Sequence, residues 1–155
     1  MTLMPLDELF MQRALREARK AFDKKEVPVG AVLVHEGKVI ASGYNQVELL
    51  QDATAHAEIL CLGSGAQALQ NWRLLETTLY CTIEPCAMCA GALFLSRVKR
   101  LVWGAADLRH GANGSWVNLF NLPHPTHHIE VTSGVCAVEC AQLMQEFFRL
   151  RRQEK

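Results

Sequence analysis

Four residues of this chain have the types and spacing for metal-assisted hydrolysis: His56, Glu58, Cys86 and Cys89. Cys86 and Cys89 stand three apart directly after Pro85, a favoured first-turn residue, so a helix starting there carries both sulfurs on one side. The positive end of a helix favours thiolate over thiol, and thiolate is the form that binds zinc. Two thiolates and one neutral imidazole cancel the charge of the ion and leave its fourth tetrahedral position to water, which distinguishes a catalytic site from a closed structural one. His56, at the start of a second predicted helix, is the natural third ligand. Glu58 does not share a helical face with His56, so it is read as reaching the metal-bound water and passing its proton on. Zinc supplies the complement by making that water acidic enough to yield hydroxide near neutral pH. Singly, each piece has an ordinary reading: a redox or buried Cys-x-x-Cys, a surface histidine, a solvated helix charge. The remaining cysteines carry less. Cys136 and Cys140, four apart on a predicted helix, suit core packing better than a second metal site or a disulfide, and Cys61 and Cys81 have no partner that the sequence identifies.

These residues need elements that bring two helix starts together. Leu6 to Lys24 places Leu9, Phe10, Ala14, Leu15, Ala18 and Phe22 near a 3.6-residue period, which predicts an amphipathic helix closed by Pro28. Val29 to His35 and Lys38 to Tyr44 flank Glu36-Gly37 as the strands of a hairpin. Thr54 is placed to cap a helix from Ala55 to about Leu69, and Thr78 to Thr82 predicts a strand leading into a helix from Cys86 to Leu95. Arg100 to Trp103 is a further strand. Residues 105–128, with Gly111, Gly114, Pro123 and Pro125, read mainly as loop with room for one helical turn, before a strand at His128 to Thr132 and a closing helix at Val135 to Arg152. Helices that separate strands mark crossovers, so the order predicts an α/β sandwich, a sheet covered by helices. With no repeat, linker or low-complexity tract, residues 1–155 read as a single zinc-dependent domain.

The charges balance, 16 Lys and Arg against 16 Asp and Glu, so net charge gives no support to a nucleic-acid partner. Their placement does: residues 147–155 carry four positive charges against one negative, a basic end on a neutral body. No apolar run approaches the roughly 18 residues of a membrane span, and Met1 to Leu9 lacks the pattern of a secretory signal, so no membrane partner and a cytoplasmic location are expected. Asn113-Gly114-Ser115 matches a glycosylation acceptor but is read as a turn.

His56-Ala57-Glu58 followed by Pro85-Cys86-Ala87-Met88-Cys89 is the signature of zinc-dependent nucleobase deaminases. Beyond these motifs, Glu26 to Val34, Gly43-Tyr44-Asn45, Asn71-Trp72-Arg73-Leu74, Gly104 to Asp107 and Phe147 to Glu154 give a resemblance, from about Met11 to Lys155, to the bacterial-type tRNA-specific adenosine deaminases of the cytidine/deoxycytidylate deaminase superfamily. The resemblance implies a cytidine-deaminase-like three-layer α/β/α sandwich around a five-stranded mixed sheet, one zinc per subunit, and a homodimer. It implies hydrolytic deamination of adenosine to inosine at the wobble position of tRNA. Glu58 is then catalytic, His56, Cys86 and Cys89 hold the metal, and Asn45 holds the base. Asp107 lies near the ribose, and Phe147, Phe148, Arg149, Arg151 and Arg152 belong to a helix that contacts the anticodon loop. Where the family often has Lys and Thr, this chain has Arg109, which keeps the positive charge of an RNA contact, and His110; Trp116 stands for a smaller aliphatic residue. The leading rival within the same chemistry is a deaminase of free guanine, cytosine or cytidine, for which the basic helix has less to do. A non-enzymatic zinc or RNA-binding module is disfavoured by Glu58, since a structural site is expected to be closed by a fourth protein ligand.

Overall fold

A computed structural model describes residues 4–154. Its elements are α1 (Leu6–Asp23), β1 (Gly30–His35), β2 (Lys38–Tyr44), α2 (Val47–Leu50), α3 (Ala57–Leu69), β3 (Thr77–Ile83), α4 (Ala87–Leu95), β4 (Arg100–Ala105), β5 (Glu130–Thr132) and α5 (Ala137–Gln153). The five strands form one sheet in the order β2-β1-β3-β4-β5. β1 runs antiparallel to both β2 and β3, while β3, β4 and β5 are mutually parallel, so the sheet is mixed as expected.

The period-two geometry of a strand divides the sheet's side chains between two cores. Ala31, Leu33, Leu79, Cys81, Leu101 and Trp103 point to the face covered by α3 and α4, where Cys61, Leu62, Leu93 and Phe94 meet them. Val32, Val34, Tyr80 and Val102 point to the other face, against Met11, Ala14 and Leu15 of α1 and Cys140 of α5. This is the three-layer α/β/α sandwich. Cys61, Cys81 and Cys140 are buried free thiols within it, in keeping with a packing role for Cys140. Burial pushes the Cys61 and Cys81 thiols well up and that of Cys140 up to about 12.

The hairpin turns at Glu36 (φ 52°) and Gly37 (φ 77°), two left-handed residues in the pattern that matches the twist of the flanking strands. Gly43 serves a different need. A Cβ there would stand 2.7 Å from the Ala57 carbonyl oxygen and 2.9 Å from the Cys61 amide nitrogen, so its absence lets the first turns of α3 lie directly on β2. The α1 layer is tied across the sheet by Asp7, whose Oδ1 and Oδ2 accept from Arg100 of β4 at 2.8 and 2.6 Å while Tyr80 of β3 donates its hydroxyl to Oδ1 at 2.8 Å. Arg100 also donates to Thr132 Oγ1 of β5 at 3.0 Å.

Several sequence expectations are corrected. Thr54 does not cap α3: its amide and hydroxyl both donate to Asp52 Oδ1, at 2.8 and 2.7 Å, closing a local Asx turn, and the helix begins at Ala57 with His56 in the N-cap position. Helix α2 was not anticipated, because four residues carry no periodicity; its first amides are held instead by the distant side chain of Glu26. β4 runs on to Ala105, and β5 is only three residues long, its approach fixed by His127 Nε2, which donates to the Val98 carbonyl at 2.7 Å. Between β4 and β5 the chain forms turns and isolated bridges rather than a helical turn.

Candidate functional site

The ends of three elements converge on one cleft. His56 and Cys86 both occupy N-cap positions with extended backbone, φ −74° and ψ 153° for His56, φ −74° and ψ 174° for Cys86. Neither side chain is spent on a capping hydrogen bond, and the imidazole and the thiol face each other. His56 Nδ1 lies 3.5 Å from both Cys86 Sγ and Cys89 Sγ, and the three ligand atoms fall within 4.8 Å of one another. A single nitrogen facing two sulfurs at that spacing fits one soft divalent ion with an open fourth position. His56, Cys86 and Cys89 are thus positioned to bind zinc.

The three ligand groups hold their protons unequally, and zinc would displace those on Cys89 and His56. Hydrogen bonding from the Cys89 thiol, with help from His56, brings the Cys86 thiol down to about 4, whereas Cys89 is pushed up because it gives its hydrogen to Cys86 and is buried. His56 is raised, chiefly by its hydrogen bond to Cys86. Glu58, 4% exposed, sits in the first turn of α3 at the edge of the triad, and burial pushes its carboxyl above the usual carboxylate range. A carboxyl held that way is suited to carry a proton to and from a reacting group.

The cleft has a volume of about 650 Å³. Its lining takes in His56 and Glu58, Asn45 after β2, Asp107 and His110 after β4, and Phe147, Phe148 and Arg151 of α5. Asn45 is buried and donates one amide hydrogen to the Val27 carbonyl at 3.2 Å, which orients the group and leaves it an oxygen and a second hydrogen to present. Asp107 Oδ1 accepts from the amides of Arg109 and His110, both at 3.2 Å, and so shapes the turn that carries them. That turn brings His110, rather than Arg109, to the cleft wall. Along α5 the arginines divide. Arg151 lines the cleft, 5.8 Å from the Phe147 ring centroid; Arg149 is held by Glu146 through bonds of 2.9 and 2.6 Å; and Arg152 is exposed away from the lining residues. Phe147 serves the core as well, meeting Phe22 edge-on at 5.9 Å.

Two buried carboxylates were missed by sequence reasoning. Glu26, 1% exposed, accepts from the amides of Glu48 and Leu49 at 3.0 and 2.7 Å, which caps the short helix α2 beside Asn45. Glu84, 2% exposed, lies between β3 and the ligand Cys86 and gathers donors from the loop after β4. An acid among the apolar neighbours of residues 81–86 hinted at Glu84, whereas Glu26, directly after Lys24 and Lys25, reads as an ordinary surface charge.

Residues 4–105 match the family model described as the cytidine and deoxycytidylate deaminase zinc-binding region. A tRNA-specific adenosine deaminase of Haemophilus influenzae is 51% identical over 150 residues, covering 96% of this chain and 87% of that protein. A chloroplastic tRNA(adenine(34)) deaminase of Arabidopsis thaliana is 54% identical over 162 residues, covering 94% of this chain, which spans only 12% of that much longer protein. Among solved structures, one from a study of A-to-I editing by tRNA:A34 deaminases at the wobble position of transfer RNA superposes with a TM-score of 0.83 at 45% identity, covering 87% of this chain and 98% of the other.

Proposed function

The chain belongs to the tRNA-specific adenosine deaminases of the cytidine and deoxycytidylate deaminase family, and from that premise we propose that it hydrolyses adenosine to inosine at the wobble position of tRNA. The observation that carries the reading is one cleft that joins a zinc triad, a buried Glu58 and an aromatic and basic helix face.

His56, Cys86 and Cys89 would hold zinc, which would supply the Lewis acidity that makes water a nucleophile near neutral pH. Glu58 takes the proton of that water and delivers it to N1 of adenine as the oxygen adds at C6. The same carboxyl then takes the remaining proton from the hydroxyl added at C6 and passes it to the departing amine, so one water is consumed and one ammonia released. Asn45 presents its amide to the purine edge, where a group that both donates and accepts is required. Asp107 accepts from a ribose hydroxyl, a contact that separates RNA from DNA. The adenine enters turned out of a single-stranded loop, where unstacking costs less than in a duplex. Phe147 and Phe148 offer faces for neighbouring bases, Arg151 meets phosphate, and Arg109, Arg149 and Arg152 supply outer contacts with the anticodon loop.

On this reading residues 1–155 act as one deaminase domain, and the enzyme works in the cytoplasm, where a bacterial tRNA pool resides. It assembles as a homodimer: Met88 and Leu95 of α4, with Trp116 and Leu122 of the loop before β5, are exposed apolar side chains for a second copy to cover. Among the described residues no helix is long and apolar enough to cross a membrane.

The test is incubation of the purified protein with unmodified tRNAs carrying adenosine at the wobble position, beside tRNAs with adenosine elsewhere, followed by inosine mapping. Inosine confined to the wobble position is expected. Ammonia release from free guanine, cytosine or cytidine, with tRNA unchanged, would overturn the proposal.

A further inference from the structure

Glu84 stands two residues before the ligand Cys86, and its carboxylate is engaged by the loop that carries Asp107. Four donors converge on it. Oε1 accepts from the Asp107 amide at 3.2 Å and the Ser115 hydroxyl at 2.5 Å; Oε2 accepts from the Asn113 amide at 2.8 Å and the Ser115 amide at 3.3 Å. The loop backbone lies flat on this group: a Cβ at Gly111 would collide with the carboxyl carbon of Glu84. The two segments are laced together by further backbone bonds, Glu84 N to Ala105 O and Ala112 N to Pro85 O, both 2.8 Å, and by a bridge between Cys86 and Gly111.

We infer that Glu84 is a positioning residue that sets Asp107 and His110 relative to the metal ligands, coupling the substrate-facing lining of the cleft to its chemical centre. The inference rests on the tRNA-deaminase reading for its substrate. Three of the four donors are backbone amides, which cannot turn round to accept. A carboxylate is the one side chain of this length that offers two acceptor oxygens; glutamine offers one, and its amide nitrogen would confront a donor. In the Glu84→Gln variant the lower-cost arrangement puts that nitrogen at the Oε1 position, because the Ser115 hydroxyl can rotate to accept. The Asp107 amide then loses its acceptor. Since Asp107 in turn accepts from the His110 amide, the displacement passes to both residues of the cleft wall.

Glu84→Gln is compared with the wild-type enzyme, zinc-loaded, in three measurements. Steady-state kinetics on wobble-adenosine tRNA are expected to give a KM raised about tenfold with kcat within about threefold, the signature of lost substrate positioning with the proton chemistry intact. Zinc stoichiometry stays at the wild-type value. Amide hydrogen exchange at Asp107 and His110 speeds up by about tenfold while exchange in β3 does not. In a double-mutant cycle, Glu84→Gln added to Asp107→Asn leaves KM within about twofold of Asp107→Asn alone, because the first residue acts through the second. Additive effects, a loss of zinc that accounts for the loss of activity, or unchanged KM and exchange would each overturn the inference. Should Glu84→Gln fail to fold, Ser115→Ala enters the same cycle, removing one donor from the same carboxylate, with a smaller rise in KM expected and additivity again decisive against. If the wild-type chain edits no tRNA, the substrate reading falls, while the exchange measurement still decides whether Glu84 holds the Asp107 turn.

Discussion

Glu58 and His56 are two positions apart on one turn of chain, yet the backbone gives them separate tasks: His56 precedes the helix and turns its ring to the sulfurs, while Glu58 lies inside the helix and is buried beside them. Glu58→Gln keeps the shape and removes the proton carrier. Its expected outcome is full zinc occupancy and an unchanged melting temperature with turnover lower by a factor on the order of 100 to 10,000, checked by metal analysis and inosine formation. The four chemical residues were legible in the sequence because their spacing is dictated by helix geometry and ligand charge. Glu84 and Glu26 were not, since a buried carboxylate is justified only by the amides that reach it, and those come from residues remote along the chain.

At the scale of elements, α5 separates its arginines by what else they touch. Arg151 faces the cleft, whereas Arg149 is already committed to Glu146. Arg151→Ala is expected to weaken tRNA binding about tenfold and to lower the salt dependence of binding, with Arg149→Ala changing affinity less than about threefold; filter binding across a salt series decides it. The β2–α3 contact makes a different demand. Gly43→Ala forces a methyl group against the α3 backbone and is expected to cost about 1–3 kcal/mol of stability, read from denaturant unfolding, and to shift His56 with the helix it precedes. Hairpin and long helices were readable because each satisfies itself locally, through turn residues or an amphipathic period. Helix α2 and the N-cap of α3 escaped, since each is defined by a partner outside its own segment, Glu26 and the Asp52 turn that engages Thr54; β5 was readable as a strand, but its start was not, because the parallel edge of β4 sets it.

Across the whole molecule, the Asp7–Arg100–Tyr80 cluster joins the α1 layer to the sheet. Arg100, with Tyr80 assisting, holds the Asp7 carboxyl below its ordinary value of 3.8. The folded chain therefore binds that proton less readily than the unfolded one. The tie contributes fully above the ordinary value and is lost as pH falls through the lower folded value. Both partners are partly exposed, so its worth near neutrality is about 1 kcal/mol. Asp7→Asn is expected to lower the melting temperature near neutrality and to flatten its decline between about pH 5 and about pH 2, measured by thermal melts across that range; a decline as steep as wild type would show that other carboxylates dominate acid unfolding.

The position of β1 has a consequence for synthesis on the ribosome. β1 is interior to the sheet, almost wholly apolar and buried, and its inner edge is paired by β3, which is translated only after α2 and α3. While Thr77–Ile83 is still within the exit tunnel, the emerged hairpin presents an unpaired apolar edge of the kind that joins neighbouring chains. A pause in translation after the hairpin has emerged and before β3 has cleared the tunnel would lengthen that exposure, whereas a later one would find the edge already closed.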